Sequence, residues 1–242
     1  MVEICIEEYN ELSDNVVEFI QTLSDGFEND LMCRKNRYCL RKGDFKTIVE
    51  RKWLNDEIIN YYLNLLENDR TKSLDVFFYS TLKKSKAIAV ERLVKAEVMN
   101  FDMILVPINV SNHWILCTID TITKTIQWYD SYLSLTSLAT KHKKMDLIRD
   151  AVKEAGSPSE IQWKTIVLQH TPQQSNCNDC GVYLCHFAAL LSVRQPVSFD
   201  SIDCKVILEM DDRELSKNSK VWRSFVVRSF LRKQNSPNIR KP

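Results

Sequence analysis

The sequence has 242 residues, which suits one domain better than two small ones. Hydrophobic residues make up 44% and charged residues 27% of it, as in a globular protein with a packed core. The 33 Lys and Arg residues balance the 32 Asp and Glu residues, leaving a net charge of +1. This balance argues against a nucleic-acid-binding or membrane-surface protein, since both use an excess of positive charge.

The N-terminus and the cysteine content bear on the cellular compartment. Residues 1–8 are acidic where a secretory signal would be basic, and no apolar run approaches the roughly 18 residues that span a membrane. We therefore expect an intracellular protein, nuclear or cytoplasmic, that acts as a monomer. Its eight cysteines are expected to be thiols, because such compartments are reducing.

In chain order, the first hundred residues predict helices. Apolar residues at helical spacing predict a peripheral helix over residues 11–23 and a second helix with Asn55 or Asp56 as its N-cap. The basic residues 33–46 predict an irregular segment, and residues 83–100 predict a further helix.

The middle of the chain changes to strand patterns. Strands are predicted at 103–106, where Pro107 closes the run, and at 114–119, 125–129 and 160–169, and helices at 144–154, 180–191 and 220–232. Residues 234–242 are polar, contain two prolines and predict a frayed tail. Helices at both ends with adjacent strands between them predict an α+β fold, as one domain over residues 1–242.

One predicted hairpin places a histidine beside an aspartate. His113 precedes one strand and Asp130 ends the next. A tight loop over residues 120–123 would set these two residues directly opposite each other, with Cβ atoms about 4.5–5.5 Å apart. An imidazole and a carboxylate at that distance can form a hydrogen bond, so the pattern predicts a base beside the acid that orients it.

A third segment supplies a nucleophile. Cys180 begins a predicted helix, where the helix dipole and an imidazolium would both favour the reactive thiolate. Gly181 would let a substrate backbone approach closely. Gln174 can offer its side-chain amide as an oxyanion donor beside the Cys180 N–H. Together with His113 and Asp130, these groups predict acyl transfer through a thioester, without metal or cofactor.

The competing interpretation is a metal or redox site. Cys177 and Cys180 form a C-x-x-C pattern that is compatible with zinc or with a redox disulfide, and Cys185 and His186 follow. However, neighbours on a helix point about 100° apart, so Cys185 and His186 cannot easily face one ion.

Four stretches resemble the Ulp/sentrin-specific protease family, the cysteine proteases that remove SUMO. They are residues 53–56, 106–108 with His113-Trp114, 128–131, and 173–181. The resemblance implies a papain-like α+β fold with a central mixed sheet flanked by helices, and catalytic roles for His113, Asp130, Cys180 and Gln174. It also implies that Trp53 and Trp114 flank a tunnel for the Gly-Gly end of the substrate. Asp56 would then lie near that tunnel and pair with a basic residue of SUMO.

The sequence departs from the family at two places. Family members commonly have glycine where this chain has Cys177, so cysteine would be strained if that position requires positive φ. The closeness of Cys177 to Cys180 also suggests a reversible disulfide that silences the enzyme under oxidation. Tyr132-Leu133 stands where relatives often have glycine, so the surface there is expected to differ.

The sequence thus predicts a thiol isopeptidase that removes SUMO from lysines and trims SUMO precursors after Gly-Gly. Its partners would be SUMO and SUMO-conjugated proteins. One alternative is a protease for another ubiquitin-like modifier, because selection of Gly-Gly does not separate the two. Another is a non-catalytic SUMO-binding module that retains the fold, although a pure binder has no use for all four of the predicted catalytic residues.

Overall fold

A computed structural model describes residues 26–35, 37–49, 52–132 and 136–197. The predicted helices at 11–23 and 220–232 and the predicted tail at 234–242 lie outside these residues. The elements are β1 (Leu31–Lys35), β2 (Tyr38–Arg41), α1 (Lys42–Val49), α2 (Asp56–Leu66), β3 (Thr71–Ser73), α3 (Phe78–Lys84), α4 (Lys86–Lys95), β4 (Met103–Val110), β5 (His113–Asp120), β6 (Thr125–Tyr129), α5 (Leu138–Glu154), β7 (Lys164–Val167) and α6 (Cys180–Ser192).

The centre of the molecule is a five-stranded mixed sheet in the order β3-β4-β5-β6-β7. The two outer pairs, β3–β4 and β6–β7, are parallel, and the inner pairs are antiparallel. A separate two-stranded sheet is formed by β1 and β2. This architecture confirms the predicted α+β fold with a central mixed sheet between helices.

The sheet separates two hydrophobic cores because alternate strand residues point to opposite faces. One core joins α2 and α6 to one face, through residues such as Leu105, Leu116 and Tyr129. The other joins α3, α4 and α5 to the opposite face, through residues such as Ile104, Cys117 and Trp128. Every residue of β5 is buried, as expected for a strand with helices on both sides.

Several predicted elements have different bounds in the structure. The helix expected over residues 83–100 is broken at Ser85, whose hydroxyl caps the N-terminus of α4 by accepting from the Ile88 N–H. The strand expected to end at Pro107 continues to Val110. Proline is tolerated there because β3 ends opposite Leu105, so β4 is an edge strand beyond that point.

The segment at 33–46 was expected to be irregular, and this prediction was wrong. It forms most of the β1–β2 hairpin and the first half of α1. Its apolar residues Tyr38, Leu40 and Phe45 are few but all buried, and they join the core that contains α2 and α6. Tertiary packing therefore decides the structure of this segment, because its many charged residues obscure the hydrophobic periodicity.

Helix α6 is fastened to the sheet beyond its C-terminal end. Arg194 adopts a left-handed conformation with φ of 59°. Its guanidinium donates to Asp120 Oδ2 at 2.7 Å and to the carbonyl of Asp102 at 3.0 Å. The Thr71 hydroxyl also donates to the carbonyl of Ser192 at 3.2 Å. Both connections join the end of α6 to the edge of the sheet at which β3 and β4 begin.

Candidate active site

The turn between β4 and β5 delivers His113. Val110 pairs with His113, so the loop consists of Ser111 and Asn112 alone. Both residues have positive φ, 51° and 64°, as the type I′ turn of a two-residue hairpin requires. This turn sets His113 at the first position of β5, at one edge of the central sheet.

The predicted register of the next hairpin was wrong by two residues. In the structure Asp120 pairs with Thr125, and the loop is residues 121–124 rather than 120–123. The Asp120 carboxylate accepts from the N–H groups of Ile122 and Thr123, and Lys124 adopts positive φ. This side-chain cap holds Asp120 in the strand. A shift of two residues keeps the same face, so Asp130 lies diagonally across from His113 and on its side of the sheet.

His113 and Asp130 form a buried hydrogen bond, with His113 Nε2 2.8 Å from Asp130 Oδ1. Burial lowers the pKa of His113, but hydrogen bonds with Asp130 and Cys180 outweigh it and raise that pKa to about 9. Since Nε2 is bonded to Asp130, Nδ1 is the nitrogen that faces the thiol. The imidazole is thus charged at neutral pH and is placed between a carboxylate and a sulfur atom.

The Asp130 carboxylate accepts hydrogen bonds on both oxygens. Oδ1 accepts from His113 and, at 2.9 Å, from the backbone N–H of Tyr132. Oδ2 lies 3.0 Å from the ammonium of Lys141 and 3.4 Å from the indole nitrogen of Trp128. Burial raises the pKa of Asp130, but hydrogen bonds from His113, Tyr132 and Lys141 outweigh it and leave that pKa below its ordinary value.

Cys180 is the first residue of α6 and is buried, with 1% of its surface exposed. The positive end of the helix dipole therefore points at its thiol. The prediction for Gly181 was wrong, because protein side chains occupy the space beside it. A Cβ on Gly181 would lie 2.9 Å from Leu54 Cβ and 3.2 Å from Trp114 Cδ1. The missing side chain lets α6 pack closely on these two residues.

The loop before Cys180 is held by its own side chains. Gln174 Oε1 accepts from the Ser131 hydroxyl at 2.7 Å, and Gln174 Nε2 donates to the carbonyl of Asn176 at 2.6 Å. Asn176 Oδ1 in turn accepts from the N–H groups of Asn178 and Asp179. A primary amide has two N–H donors, so the Gln174 side chain keeps a second one for an oxyanion.

Both tryptophans lie beside the segment that carries Cys180, Trp53 at Cys177 and Trp114 at Gly181. Trp114 is buried, and its indole N–H donates to the carbonyl of Leu54 at 2.8 Å. Trp53 is 47% exposed, and its N–H donates to the carbonyl of Cys177 at 2.7 Å. Asp56 is the first residue of α2, just after the N-cap Asn55. Trp53 is therefore at the surface, Asp56 is half-buried and Trp114 lies beneath them.

Cys177 and Tyr132, the two departures from the family pattern, lie three residues before Cys180 and against His113, respectively. Cys177 is exposed and does not have positive φ, so cysteine is not strained there. The ring of Tyr132 meets the imidazole of His113 edge to face, with centroids 6.3 Å apart. Tyr132 is 43% exposed and therefore covers one side of His113 while it faces solvent on the other.

Cys185 and His186, from the zinc interpretation, lie further along α6 in the interior. Burial raises the pKa of the Cys185 thiol and lowers the pKa of His186 to about 4, so both are neutral at pH 7. Within the ranges that the structure describes, no three His, Cys, Asp or Glu side chains are grouped as metal ligands. The six cysteines of these ranges are free thiols, and no helix there is long and apolar enough to cross a membrane.

Sequence reasoning missed two polar residues that support the site, Ser131 and Lys141. Ser131 directly follows Asp130 and bonds to Gln174, so its place beside a candidate residue was a usable signal. Lys141 lies on the polar-looking first half of α5, and nothing in its local pattern distinguishes it from its lysine neighbours. Lys141 reaches Asp130 only because α5, which follows β6, packs against the sheet beside it.

The site consists of a thiol at a helix N-terminus, a charged imidazole, a carboxylate and an amide donor, on a papain-like fold. Residues 52–222 match the Ulp1 protease family, C-terminal catalytic domain. The chain belongs to this family.

Relatives and solved structures agree with this assignment. The chain is 28% identical over 183 residues to sentrin-specific protease 3 of Homo sapiens, covering 74% of this chain and 32% of that protein. It is 29% identical over 204 residues to human sentrin-specific protease 2, covering 75% and 33%. The chain thus spans about a third of the length of these relatives.

The fold is similar to that of the C-terminal Ulp1 protease domain, which was solved in complex with Smt3, the yeast ortholog of SUMO. The TM-score is 0.73 at 27% identity, and the match covers 88% of this chain and 91% of that one.

Proposed function

We propose that this chain is a thiol isopeptidase that cleaves after the C-terminal Gly-Gly of SUMO, both on lysine side chains and in SUMO precursors. The observation that carries the proposal is the buried His113–Asp130 hydrogen bond beside Cys180, in a chain of the Ulp1 protease family. The names of the relatives, sentrin-specific proteases, and the neighbour that was solved with a SUMO ortholog support SUMO as the substrate.

The first half of the reaction forms a thioester. The Cys180 sulfur attacks the carbonyl carbon of the terminal glycine, and the carbonyl oxygen becomes an oxyanion. The Cys180 N–H and the second N–H of Gln174 stabilise that charge. As the C–N bond breaks, the His113 imidazolium gives its proton to the departing lysine amine. Asp130 holds the ring in the orientation that this transfer needs.

The second half releases SUMO. His113 is now neutral and takes a proton from water, whose oxygen attacks the thioester carbonyl. The Cys180 sulfur leaves as thiolate, the imidazolium is restored, and the SUMO carboxylate departs. His113 gives one proton in the first half and takes one in the second, while the other proton of the water is released to solvent as the product acid ionises. These steps need no metal or organic cofactor.

Substrate selection is proposed to depend on Trp53 and Trp114. In this proposal the two flat rings border a slot that only a chain without side chains can enter, which is the property of Gly-Gly. Asp56, the half-buried first residue of α2, would pair with a basic residue of the modifier. We propose a monomer in a reducing intracellular compartment as the acting form; the six free thiols among the described residues are compatible with such a compartment.

The test uses SUMO, ubiquitin and a third ubiquitin-like modifier, each ending in a thiol-reactive electrophile. We expect a covalent adduct with SUMO, detected by mass spectrometry as a modified Cys180 peptide. The Cys180→Ala variant should form none, whereas Cys177→Ala should still form it. The absence of a SUMO adduct, or an adduct that persists in Cys180→Ala, would contradict the proposal. A stronger reaction with ubiquitin would assign the enzyme to another modifier.

A further inference from the structure

Lys141 is an unusual lysine, because it is only 2% exposed and lies inside the layer between α5 and the sheet. Burial of an ammonium is unfavourable unless a partner compensates for the lost hydration. Its ammonium lies 3.0 Å from Oδ2 of Asp130, a carboxylate that already has a cationic partner in His113. An apolar side chain of similar length would fill this site at a lower cost of desolvation. The charge therefore calls for a functional explanation.

The different partners of the two Asp130 carboxylate oxygens indicate what the Lys141 ammonium does. Oδ1 holds the His113 imidazole and the Tyr132 backbone N–H. On Oδ2, the Trp128 indole is a distant donor at 3.4 Å, so Lys141 makes the short contact. A carboxylate that is held on one oxygen alone can rotate about its Cβ–Cγ bond. The contact on Oδ2 removes that freedom.

We propose that Lys141 is a positioning residue: it fixes the rotation of the Asp130 carboxylate and thereby the plane in which His113 meets Cys180. The effect of Lys141 on kcat rests on the proposed function. Its effect on the position of His113 does not, because that position can be observed without a substrate.

Lys141 also balances the charges of the site. His113 from β5 and Lys141 from α5 share the negative charge of Asp130, while Cys180 faces His113 from α6. Lys144, which lies over the Trp128 ring, adds a weaker positive charge near Asp130, and Lys83 on α3 lies near Lys144. Without Lys141, the imidazolium would face a less compensated carboxylate and hold its proton more tightly. That proton must pass to the leaving amine, so this tighter hold would slow the reaction.

The test compares Lys141→Met, which keeps length and removes charge, with Lys141→Arg, which keeps the charge. Lys143→Met is the matched control, because it removes the same charge from an exposed position of α5. His113 is titrated by ¹⁵N NMR, and its signal among the four histidines is identified with a His113→Asn variant. Turnover is measured with a SUMO–lysine isopeptide substrate.

For Lys141→Met we expect kcat to fall by about tenfold or more with KM within about twofold, because misplaced catalytic groups slow the chemical step. The titration midpoint of His113 should rise by about half a pH unit or more. Lys141→Arg should recover kcat to within about threefold. Lys143→Met should change kcat by less than about twofold and the His113 midpoint by less than about 0.3 pH unit.

A folded Lys141→Met variant with unchanged kcat or an unchanged His113 titration would overturn the proposal. If Lys141→Met does not fold, Lys141→Arg tests the proposal instead. A loss of kcat in Lys141→Arg as large as that expected for Lys141→Met would show that the charge is not the cause, and would overturn the proposal. If no variant, the wild type included, turns over SUMO, the NMR titration still decides the role of Lys141, and only the proposed function fails.

Discussion

Trp53 donates its indole N–H to the backbone carbonyl of Cys177 at 2.7 Å, joining two segments that are 124 residues apart. This single contact fixes the outer wall of the site to the loop that carries the nucleophile. Because Trp53 is 47% exposed, its ring is available to a substrate on the other side. Replacement of the residue therefore affects two properties, and two variants can separate them.

The first prediction concerns Trp53. Trp53→Phe keeps an aromatic surface and removes the hydrogen bond, worth about 0.5–1.5 kcal/mol. We expect KM for a SUMO–lysine substrate to rise by about two- to tenfold. Trp53→Ala also removes the ring and should raise KM further, with little change in kcat. Steady-state kinetics on both variants checks this. Equal KM values for wild type and Trp53→Ala would contradict it.

The second prediction concerns the pH dependence of the reaction. The pKa of His113 is about 9, so the imidazolium that protonates the leaving amine should persist until pH rises through about 9. Asp130 is a main cause of that raised pKa. The Asp130→Asn variant should therefore lose activity at a lower pH than the wild type. The measurement is kcat/KM against pH, and coincident alkaline limbs would show that Asp130 does not tune His113.

The same residues have a consequence for stability. A histidine with a raised folded pKa stabilises the fold fully below its ordinary value of about 6.5, and this contribution is lost as pH rises through about 9. Removal of Asp130 also leaves the buried Lys141 without that partner, at a cost of about 3–5 kcal/mol. We expect Asp130→Asn/Lys141→Met to unfold at a higher denaturant concentration than Asp130→Asn alone. A double variant that is no more stable than the single one would contradict this.

The third prediction concerns Gly181. A Cβ there would meet Leu54 and Trp114, so Gly181→Ala should lower the free energy of unfolding by about 1–3 kcal/mol. It should also lower kcat, because α6 must move away from His113. Gly43→Ala is the matched control, since its Cβ would have ordinary contacts at 3.4 Å in α1. Chemical denaturation of both variants checks this, and equal stabilities would show that α6 tolerates the side chain.

The fourth prediction concerns the turn before His113. Ser111 and Asn112 both have positive φ, which serine adopts with strain. The double variant Ser111→Asn/Asn112→Gly has the residues that favour a type I′ turn and should be more stable by about 0.5–1 kcal/mol. Ser111→Val should be destabilised and slow, since it disturbs the start of β5. Thermal unfolding and kcat are measured together, and a stable, fully active Ser111→Val would contradict this.

The fifth prediction concerns oxidation. Cys177 is exposed and lies three positions before Cys180, so it can trap a sulfenic acid on Cys180 as a disulfide. After mild peroxide and then dithiothreitol, wild type should recover more activity than Cys177→Ser, in which Cys180 would proceed to irreversible states. Equal recovery would rule the disulfide out.

Local patterns predicted the parts of the site that depend on local structure. Spacing and residue type predicted the buried strand at 114–119 and the helix starting at Cys180, and they narrowed the N-cap of α2 to Asn55 or Asp56, of which Asn55 is the cap. The hairpin register was not, because a side-chain cap by Asp120 decides where the turn begins. An even shift kept His113 and Asp130 on one face. The predicted contact between His113 and Asp130 is therefore present although the predicted register was wrong.

Long-range packing explains what the sequence could not predict. Gly181 looked like a place for substrate, but the residues that approach it come from more than sixty positions earlier in the chain. Lys141 is one of several lysines near the start of α5 and becomes distinct only through its contact with Asp130. Such relationships depend on how α5 and α6 lie against the sheet, and spacing within a segment does not contain that information.

The attachment of α6 at its far end extends the region on which catalysis depends. Arg194 and Cys180 lie at opposite ends of this helix of 13 residues, about 20 Å apart at 1.5 Å per residue. A helix of this length moves as a rigid body. Loss of the contact between Arg194 and Asp120 would therefore tilt α6 and displace the Cys180 sulfur, even though the side chains between them are unchanged. The rate of cleavage would then report on a contact far outside the site.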